Sequence, residues 1–479
     1  MAATRLTING DSLPISSMLA RLRRSVSDIG KLSPFIVGVV CVSLLAGCAS
    51  ATDDEDSGGF SLPKLADLNP FNIAKTPLPG KRMAVLTSED QVTSHMEQAT
   101  GSIVIPPAYQ TSEWATPGGT PSNAPGHLAL PGQLRTVWTQ SVGTASSALA
   151  RIVSPPIVHQ GRVYVQDAAN QVSAFAEAGG AKAWSVNTAP EGAVATKAFG
   201  GGIAAEGGRI FVATGFGTIV ALDASSGAKL WERKIGAPIH SAPTVADGRV
   251  FATNTDGQVV CLAVADGGVL WTFNGSPQQS AAVLSNTRPA VAGDQVIIPF
   301  TSGELVALKV DSGQPVWTEN VNGAKATSTA AGLSDPASPV ANGGFVYAAS
   351  RSGRMIASNA ESGARAWSMN VGGIEMPWVA GDAIYVVDTT GRLVALKRTT
   401  GETRWAMKLP GSAKVWNGPV LAGGRLWLTS SKGGLAGVDP ATGQVTAQRE
   451  LGEPIFISPV VADGRMYVLT DKASLMALE

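Results

Sequence analysis

The stretch GGIAAEGGRIFVATGFGTIVALDASSGAKLWERKI, residues 201–235, holds the unit from which most of this chain is built. Short apolar runs alternate in it with glycine-containing turns, and the last run carries Trp231. Runs of this length, rich in β-branched residues and bounded by glycine, predict four antiparallel strands. Glycine suits the turns because a tight hairpin requires a positive φ, which glycine adopts without steric cost.

The same unit recurs along the chain. Further copies occupy residues 155–184, 241–271, 288–317, 338–367, 377–405 and 418–447. Tryptophans recur at intervals of 38 to 50 residues: Trp138, Trp184, Trp231, Trp271, Trp317, Trp367 and Trp405. The copy at 418–447 has Ala447 where a tryptophan is expected. Four strands repeated at this period predict a β-propeller, in which each outer-strand tryptophan packs against a neighbouring blade.

The two ends of the repeat region predict how the ring closes. Residues 458–479 supply three strands and stop before a fourth, whereas LRTVWTQSV (134–142) is a tryptophan strand with no three strands before it. Placing this strand on the outside of the last blade closes the ring, and closure removes exposed sheet edges. The predicted fold is all-β: an eight-bladed β-propeller of four-stranded antiparallel blades over 131–479, closed by an N-terminal strand that completes the last blade.

The composition narrows the function classes. The chain has 479 residues, 55 glycines, and 36 basic against 36 acidic residues. Balanced charge, without a basic stretch beyond the N-terminus, argues against a nucleic-acid partner. Of the three cysteines, Cys41 and Cys48 lie in the N-terminal segment, so no disulfide framework is predicted. Cys261 is interpreted as an inert core residue of a strand.

The N-terminus has the features of an export signal. An uncharged apolar run at 35–45 follows four basic residues and is too short for a comfortable membrane span. It ends in Leu45-Ala46-Gly47-Cys48, which resembles the lipobox of bacterial lipoproteins; the alternative is an ordinary cleavage site with a chance cysteine. The resemblance implies a signal peptide over 1–47, acylation of Cys48, for example with palmitate, and a stable lipid anchor. Ala49, rather than an aspartate, implies retention in the outer membrane.

Residues 48–130 are predicted to form the acylated N-terminus and a mostly flexible tether. The segment is rich in alanine, serine, threonine, proline, glycine and charged residues, and it shows little periodicity. Residues 77–86 and the surroundings of Trp114 are less typical of a linker and are candidates for docking onto the propeller.

No catalytic or metal-binding motif stands in a fitting context. No two of the histidines are spaced as ligands: His95, His127, His159 and His240. Aspartate-glycine pairs such as Asp247-Gly248 are explained by tight hairpins rather than by paired catalytic acids. We therefore predict no enzymatic activity, no cofactor and no metal.

The repeat resembles the pyrroloquinoline quinone (PQQ) type propeller repeat, whose core matches Ala221-Leu222-Asp223, Gly227 and Trp231. Quinoprotein alcohol dehydrogenases share this repeat and the eight-bladed ring. They also carry a vicinal cysteine pair over the cofactor and a Glu/Asn/Asp set on calcium. The ring of this chain has a single cysteine and lacks the insertions of those enzymes. These differences argue against redox catalysis, and a periplasmic PQQ-dependent dehydrogenase or a ligand-sensing propeller is the alternative function.

The lipobox, the tether and the eight repeats together resemble the BamB family of outer-membrane lipoproteins, over residues 77–479. The resemblance implies a non-enzymatic scaffold of the β-barrel assembly machinery, lipid-anchored in the cell outer membrane and facing the periplasm. It also implies binding to the POTRA domains of BamA and to other Bam complex subunits. Unfolded outer-membrane proteins, whose insertion the scaffold aids, are a further class of partner.

Three connections between blades are long, at 187–200, 274–287 and 322–337. Long loops on a rigid scaffold are frequent binding sites, because the scaffold positions them while their sequence is free to vary. The last two belong to adjacent junctions and are expected to form one continuous surface. The alternative interpretation is that both are merely variable surface loops.

Candidate contact residues fall on these two loops. GLSDPASP (332–339) resembles a loop of the BamB family, which implies that Leu333, Ser334 and Asp335 contact the partner, although the family's second aspartate is missing and Ala337 stands near its place. The preceding loop offers an apolar pair beside an arginine, a common anchor composition: Val283, Leu284 and Arg288.

Aromatic residues and a histidine also fall near the expected rim of the central channel: His240, Trp378, Trp416 and Phe456. They could bind an extended peptide in transit or pack to narrow the ring, and we favour packing.

Overall fold

The computed structural model describes residues 5–8, 11–14, 102–198, 200–275, 287–322 and 336–479. The chain divides into two compact units, Met1–Val85 and Leu86–Glu479. In the first unit, strand β1 (Arg5–Ile8) pairs antiparallel with β2 (Asp11–Pro14). The helical structure found within the described residues is a single 3-10 turn at Ala195–Lys197, and no helix there has the length and apolarity to cross a bilayer.

The first strand of the second unit is β3 (Thr136–Ser141). The first four sheets, here called blades 1 to 4, are each formed by four consecutive strands: β4 (Ile157–His159), β5 (Arg162–Gln166), β6 (Gln171–Ala176), β7 (Lys182–Asn187); β8 (Gly201–Glu206), β9 (Arg209–Thr214), β10 (Thr218–Asp223), β11 (Lys229–Lys234); β12 (Thr244–Ala246), β13 (Arg249–Thr253), β14 (Gln258–Ala263), β15 (Val269–Asn274); and β16 (Ala290–Ala292), β17 (Gln295–Pro299), β18 (Glu304–Lys309), β19 (Pro315–Asn320).

Blades 5 to 7 follow the same plan, and blade 8 is completed by β3. Their strands are β20 (Val340–Asn342), β21 (Phe345–Ala349), β22 (Met355–Asn359), β23 (Arg365–Met369); β24 (Trp378–Ala380), β25 (Ala383–Val387), β26 (Arg392–Lys397), β27 (Thr403–Lys408); β28 (Trp416–Ala422), β29 (Arg425–Ser430), β30 (Gly434–Val438), β31 (Val445–Glu450); and β32 (Val460–Ala462), β33 (Arg465–Leu469), β34 (Ser474–Leu478).

The eight sheets form an eight-bladed β-propeller, as the repeat predicted. The first strand of each blade is innermost, since first strands of adjacent blades lie against one another, as β8 does against β4 and β12. The inner three strands are buried on both faces by neighbouring blades, which explains their almost continuous apolar sequence. The outer strand is largely exposed, as in β11.

The closing strand lies where the sequence placed it. β3 pairs antiparallel with β34, with Thr136 opposite Leu478 and Ser141 opposite Ser474. The order in this sheet is β3-β34-β33-β32, so the last blade takes its outer strand from the start of the repeat region. The prediction of closure by residues 134–142 is therefore confirmed.

The seven repeat tryptophans join consecutive blades. Each indole Nε1 donates a hydrogen bond of 2.9–3.1 Å to a carbonyl oxygen just after the third strand of the next blade, as Trp184 does to Ala224. The ring also covers a turn glycine of that blade, Gly227 in this example. Asp223 shapes the same turn, because its Oδ1 accepts from the amides and hydroxyls of Ser225 and Ser226, which lowers its pKa to about 2.

The junction between blades 7 and 8 is built differently. Ala447 stands opposite Gly437 where the other blades have tryptophan. Arg449 on the outer strand of blade 7 bridges the junction instead: Nη1 donates to the carbonyl of Leu134 at 2.9 Å and Nη2 to Oγ1 of Thr136 at 2.6 Å. Partly exposed polar bonds thus stand at this seam where the other junctions have a buried indole.

Candidate interaction face and central cup

The connections between blades emerge on one face of the ring, which we call the interblade face. Two of the long connections, 274–287 and 322–337, flank blade 4, because they precede β16 and β20. The backbone N–H of Arg288 donates to Oγ of Ser338 at 3.2 Å, so the residues that end the two connections are in direct contact. The two connections therefore return to the ring at neighbouring points.

Most of the predicted contact residues lie outside the described residues. This applies to Val283, Leu284, Leu333, Ser334 and Asp335, and also to the lipidation site Cys48. Arg288 is described, and its side chain points into the ring: it is 6% exposed. Its Nε donates to Oδ1 of Asn123 at 3.1 Å and its Nη2 to Sδ of Met376 at 3.1 Å. Arg288 therefore anchors the base of the first loop rather than presenting a charge on the outer surface.

Asn123 links Arg288 to a segment that precedes the propeller. Its Nδ2 donates to the carbonyls of Pro289 at 3.3 Å and Pro339 at 2.8 Å, which lie just before the inner strands of blades 4 and 5. The side chain thus uses both ends of its amide, and it is 2% exposed. A buried polar side chain satisfied in this way fixes the segment relative to the ring.

The segment 104–130, here called the plug, lines the ring on the face opposite the interblade connections. It bonds to the inner strands or first hairpins of seven blades: Trp114 with Val158, Ala115 with Ala205, Pro121 with Val291, Ser122 with Ala341, Gly126 with Trp378, Leu128 with Leu421, and Thr111 with Asp463. The sequence identified the surroundings of Trp114 as a candidate for docking onto the propeller. In the structure, bonds to the ring are spread along the segment 104–130. The segment resembles a linker because it is rich in proline, glycine and threonine, yet its backbone bonds to the blades as well as within itself, as from Tyr109 to His127.

Trp114 and Trp378 meet at the centre of the ring. Their ring centroids lie 6.4 Å apart with an interplanar angle of 20°, and both side chains are at most 2% exposed. Trp416 is also buried, whereas Phe456 is 40% exposed and His240 is half-buried. Of the rim residues identified in the sequence, Trp378 and Trp416 therefore serve as packing residues, and Phe456 remains available at the surface.

Between the plug and the interblade face lies a cavity of about 280 Å³, here called the central cup. Trp114 and Pro117 of the plug contribute to its lining, and the rest comes mainly from residues just before the inner strands. Its charged residues are Arg151, Arg288, Arg351, Glu375 and Asp471. The cup is thus closed by the chain's own N-terminal segment on one side and bordered by the interblade connections on the other.

Glu375 is the perturbed acid of the cup. Its carboxylate accepts a long bond from Oγ of Ser458, at 3.5 Å, and its pKa is raised to about 7 because desolvation outweighs the attraction of Arg288. Desolvation also lowers the pKa of Arg288, to about 10, which leaves it cationic at neutral pH. The side chain of Glu375 is partly exposed by surface area, yet it sits deep in the ring, which is why desolvation dominates.

The remaining candidate for reactivity is Cys261. It is buried in β14, and burial raises its pKa to about 12, so the thiol is inert at neutral pH. Within the described residues, no group of three or more histidine, cysteine, aspartate or glutamate side chains is arranged to hold a metal ion.

Comparison with known proteins bears on the repeats. A family model described as "Outer membrane protein assembly factor BamB" matches residues 133–198, 168–407 and 391–479, so the matches run through the whole propeller. The chain belongs to the BamB family. The BamB-family protein of Salmonella typhimurium, an outer membrane protein assembly factor, is 29% identical over 116 residues, which is 24% of this chain and 29% of that protein. That match therefore spans less than a third of the relative's length.

Solved structures extend the likeness to the whole ring. BamB from Moraxella catarrhalis superposes with a TM-score of 0.61 at 20% identity, over 72% of this chain and 100% of that chain. A europium-containing methanol dehydrogenase superposes with a TM-score of 0.62 at 15% identity, over 77% of this chain and 98% of that chain. At such identities both comparisons show the fold alone, and membership of the BamB family rests on the sequence match.

Proposed function

We propose that this chain is a non-enzymatic scaffold of the β-barrel assembly machinery, held in the outer membrane by acylated Cys48 and facing the periplasm. It binds the POTRA domains of BamA, joins the other subunits of the complex, and aids the insertion of outer-membrane proteins. Membership of the BamB family supports this assignment, and the ring matches the full length of a BamB from another species.

The observation that carries the proposed binding surface is the contact between Arg288 and Ser338. Because the ends of the two long loops are bonded there, residues on both can contact one partner at once. Val283 and Leu284 provide apolar anchors on the first loop, and Leu333, Ser334 and Asp335 act on the second. Arg288, which follows the first loop, is fixed to the ring by its buried bonds to Asn123 and Met376.

Crosslinking in cells tests the surface. A photo-crosslinking residue at Leu284 or at Asp335 is expected to capture BamA, whereas one at Asp247, an exposed hairpin residue on the opposite face, is expected to capture none. If the protein is intact and membrane-bound and neither loop position captures BamA, the proposed partner is wrong. Equal capture from all three positions would show that the loops are not the binding surface.

The lipid anchor is tested separately. Replacing Cys48 by alanine is expected to abolish acylation, which mass spectrometry of the mature N-terminus detects, and to move the protein from the membrane to the soluble periplasmic fraction. A single acyl chain binds membranes only marginally, whereas a diacylglycerol with an amide-linked chain anchors stably. Cys41→Ala, within the same apolar run, serves as the control and should leave anchoring unchanged.

The dehydrogenase alternative predicts a different result. Purified protein supplied with PQQ and calcium would oxidise an alcohol with reduction of a coupled dye. We expect no turnover, since the ring has Cys261 alone where the quinoprotein dehydrogenases have a vicinal cysteine pair. Dye-linked turnover that depends on PQQ would overturn the non-enzymatic part of the proposal.

A further inference from the structure

The central cup is accessible from one side. The plug contributes Trp114 and Pro117 to its lining, and Trp114 is stacked on Trp378 and hydrogen-bonded to blade 1. On the interblade side the lining includes exposed side chains, among them Ile374, which is 37% exposed, and Phe456. A chain cannot thread through such a ring. A ligand must enter and leave through the same opening, as a chain end or a small molecule does.

The charges of the cup favour an anion. Arg151 and Arg351 are exposed residues of its lining, and Arg288 is buried deeper. The acidic groups among the described lining residues are Glu375 and Asp471. The lining thus holds three arginines and two acids, of which Glu375 is partly protonated near neutral pH because its pKa is about 7. Guanidinium groups bind carboxylates through paired hydrogen bonds, which makes them the usual partners of such an anion.

The cup also presents apolar surface to its opening. Phe456 and Ile374 are among the few large hydrophobic side chains exposed in the described part of the chain, and both belong to the lining. Exposed apolar residues beside converging polar groups are typical of a ligand site rather than of a packed interior. The two features together specify a ligand with an apolar body and a carboxylate end.

We propose that the central cup binds an apolar group that ends in a carboxylate, as at the C-terminus of a polypeptide with an apolar last residue. The carboxylate reaches the exposed arginines, Arg151 and Arg351, and the apolar side chain packs on Phe456 and Ile374. The cavity of about 280 Å³ has room for a terminal residue but not for a folded domain. Arg288 and Ser338, which follow the two loops assigned to BamA, also line the cup, but the ligand is recognised by the cup lining and does not depend on that assignment.

Binding to the full-length chain in detergent tests the site. The probes are acetyl-Ala-Ala-Ala-Leu with a free carboxylate, the same peptide as its C-terminal amide, and 4-methylpentanoate as a small acid of the same shape; titration calorimetry measures each. We expect the free acid peptide to bind at least about tenfold more tightly than the amide, since a charge-assisted bond is lost in the amide. Tighter binding of the peptide than of 4-methylpentanoate assigns a polypeptide end as the ligand. Equal binding supports the same site with a small organic acid as its source.

Two variants distinguish the cup from the rest of the surface. Arg351→Gln should weaken binding of the free acid peptide by about tenfold. Arg354→Gln, three residues away and outside the cup lining, should leave that affinity unchanged. Equal effects of the two variants, or equal binding of acid and amide, would overturn the proposal, as would a failure of both peptides and the small acid to bind.

A pH profile adds an independent readout. Lowering the pH from 8 to 6 protonates Glu375 and should tighten binding of the anion, while Arg288, whose pKa is about 10, stays charged. Asp471 is the other acid of the lining. In Glu375→Gln the profile should be flat across this range. A profile that is the same in both proteins would show that Glu375 does not face the ligand.

Discussion

The indole of Trp184 lies against the α-carbon of Gly227 in the next blade, so closely that a Cβ on Gly227 would come within 2.7 Å of the ring. The same relationship recurs six times around the propeller, at distances of 2.6–2.8 Å. It explains why glycine and tryptophan are separated by a fixed spacing in the repeat although they never touch within a blade. Each glycine receives the tryptophan of the preceding blade, so the motif encodes the contact between blades.

Gly227→Ala should destabilise the ring more than the same substitution at a turn glycine that has no neighbour close to its α-carbon. Gly227 and Gly248 share φ of +74°, but a Cβ on Gly248 meets nothing within 4 Å. Gly248→Ala should therefore cost only the strain of a positive φ, about 1–2 kcal/mol. Gly227→Ala adds the clash with Trp184, for which about 1–3 kcal/mol more is typical of overpacking. Urea unfolding of both variants measures the difference. Equal losses would show that the indole moves aside without cost.

Arg449→Ala should loosen the seam between blades 7 and 8 in particular. The guanidinium bonds to Leu134 and Thr136 are partly exposed, so a loss of about 1 kcal/mol is expected. Hydrogen exchange should accelerate in β3 and β34 while blades 2 to 4 remain protected. Gln448→Ala, the exposed neighbour on the same strand, is the control. Uniform acceleration in all blades would mean that the ring opens as a whole.

Trp114→Ala should destabilise the propeller although the residue lies before it in sequence. A fully buried tryptophan replaced by alanine typically costs about 3–5 kcal/mol. Trp114→Phe retains an aromatic ring against Trp378 and should cost less than half of that. A shortened chain that begins at residue 131 should likewise melt at a lower temperature than one that begins at 102. Identical melting of the two shortened chains would contradict a structural role for the plug.

Glu375 should make stability fall as the pH rises. Its pKa in the folded protein is about 7, above the ordinary value of 4.5, so the folded state binds the proton more tightly than the unfolded state. The stabilisation is present in full below about pH 4.5 and is lost as the pH rises through 7, by at most about 3 kcal/mol. Glu375→Gln should remove this slope and be more stable than the parent at pH 8. Melting temperatures from pH 5 to 8 measure it, with Glu361→Gln, an exposed acid, as the control.

Much of the fold could be predicted because the signals that specify each blade lie within a single repeat. Glycine turns, apolar runs and the position of Trp231 specify a four-stranded sheet without reference to the rest of the chain. The closure could also be predicted from the sequence. Only the last repeat has three strands, and the strand at Trp138 is the one that belongs to no other repeat. The carbonyl that accepts the hydrogen bond of each indole could not be predicted, because it lies in a different repeat.

The site was less accessible to sequence reasoning. The position of Arg288 beside an apolar pair on a long loop makes it a candidate contact residue, but its side chain bonds inward, to the buried amide of Asn123 165 residues earlier. The plug resembled a linker in composition, and Trp114 was its main departure from that pattern. Glu375 carried no signal at all, since its raised pKa comes from the surrounding ring and not from its neighbours in sequence.

The sequence by itself determined the number of blades, their strand order and the strand that closes them, because these follow from hydrophobic period and turn chemistry within each repeat. The tertiary structure alone decided that residues 104–130 close the channel and that Arg288, Glu375 and Phe456 line one cup. Those relationships join residues from distant repeats at the ring axis, where position depends on the curvature of the assembled sheets. No local pattern in a repeat records that curvature.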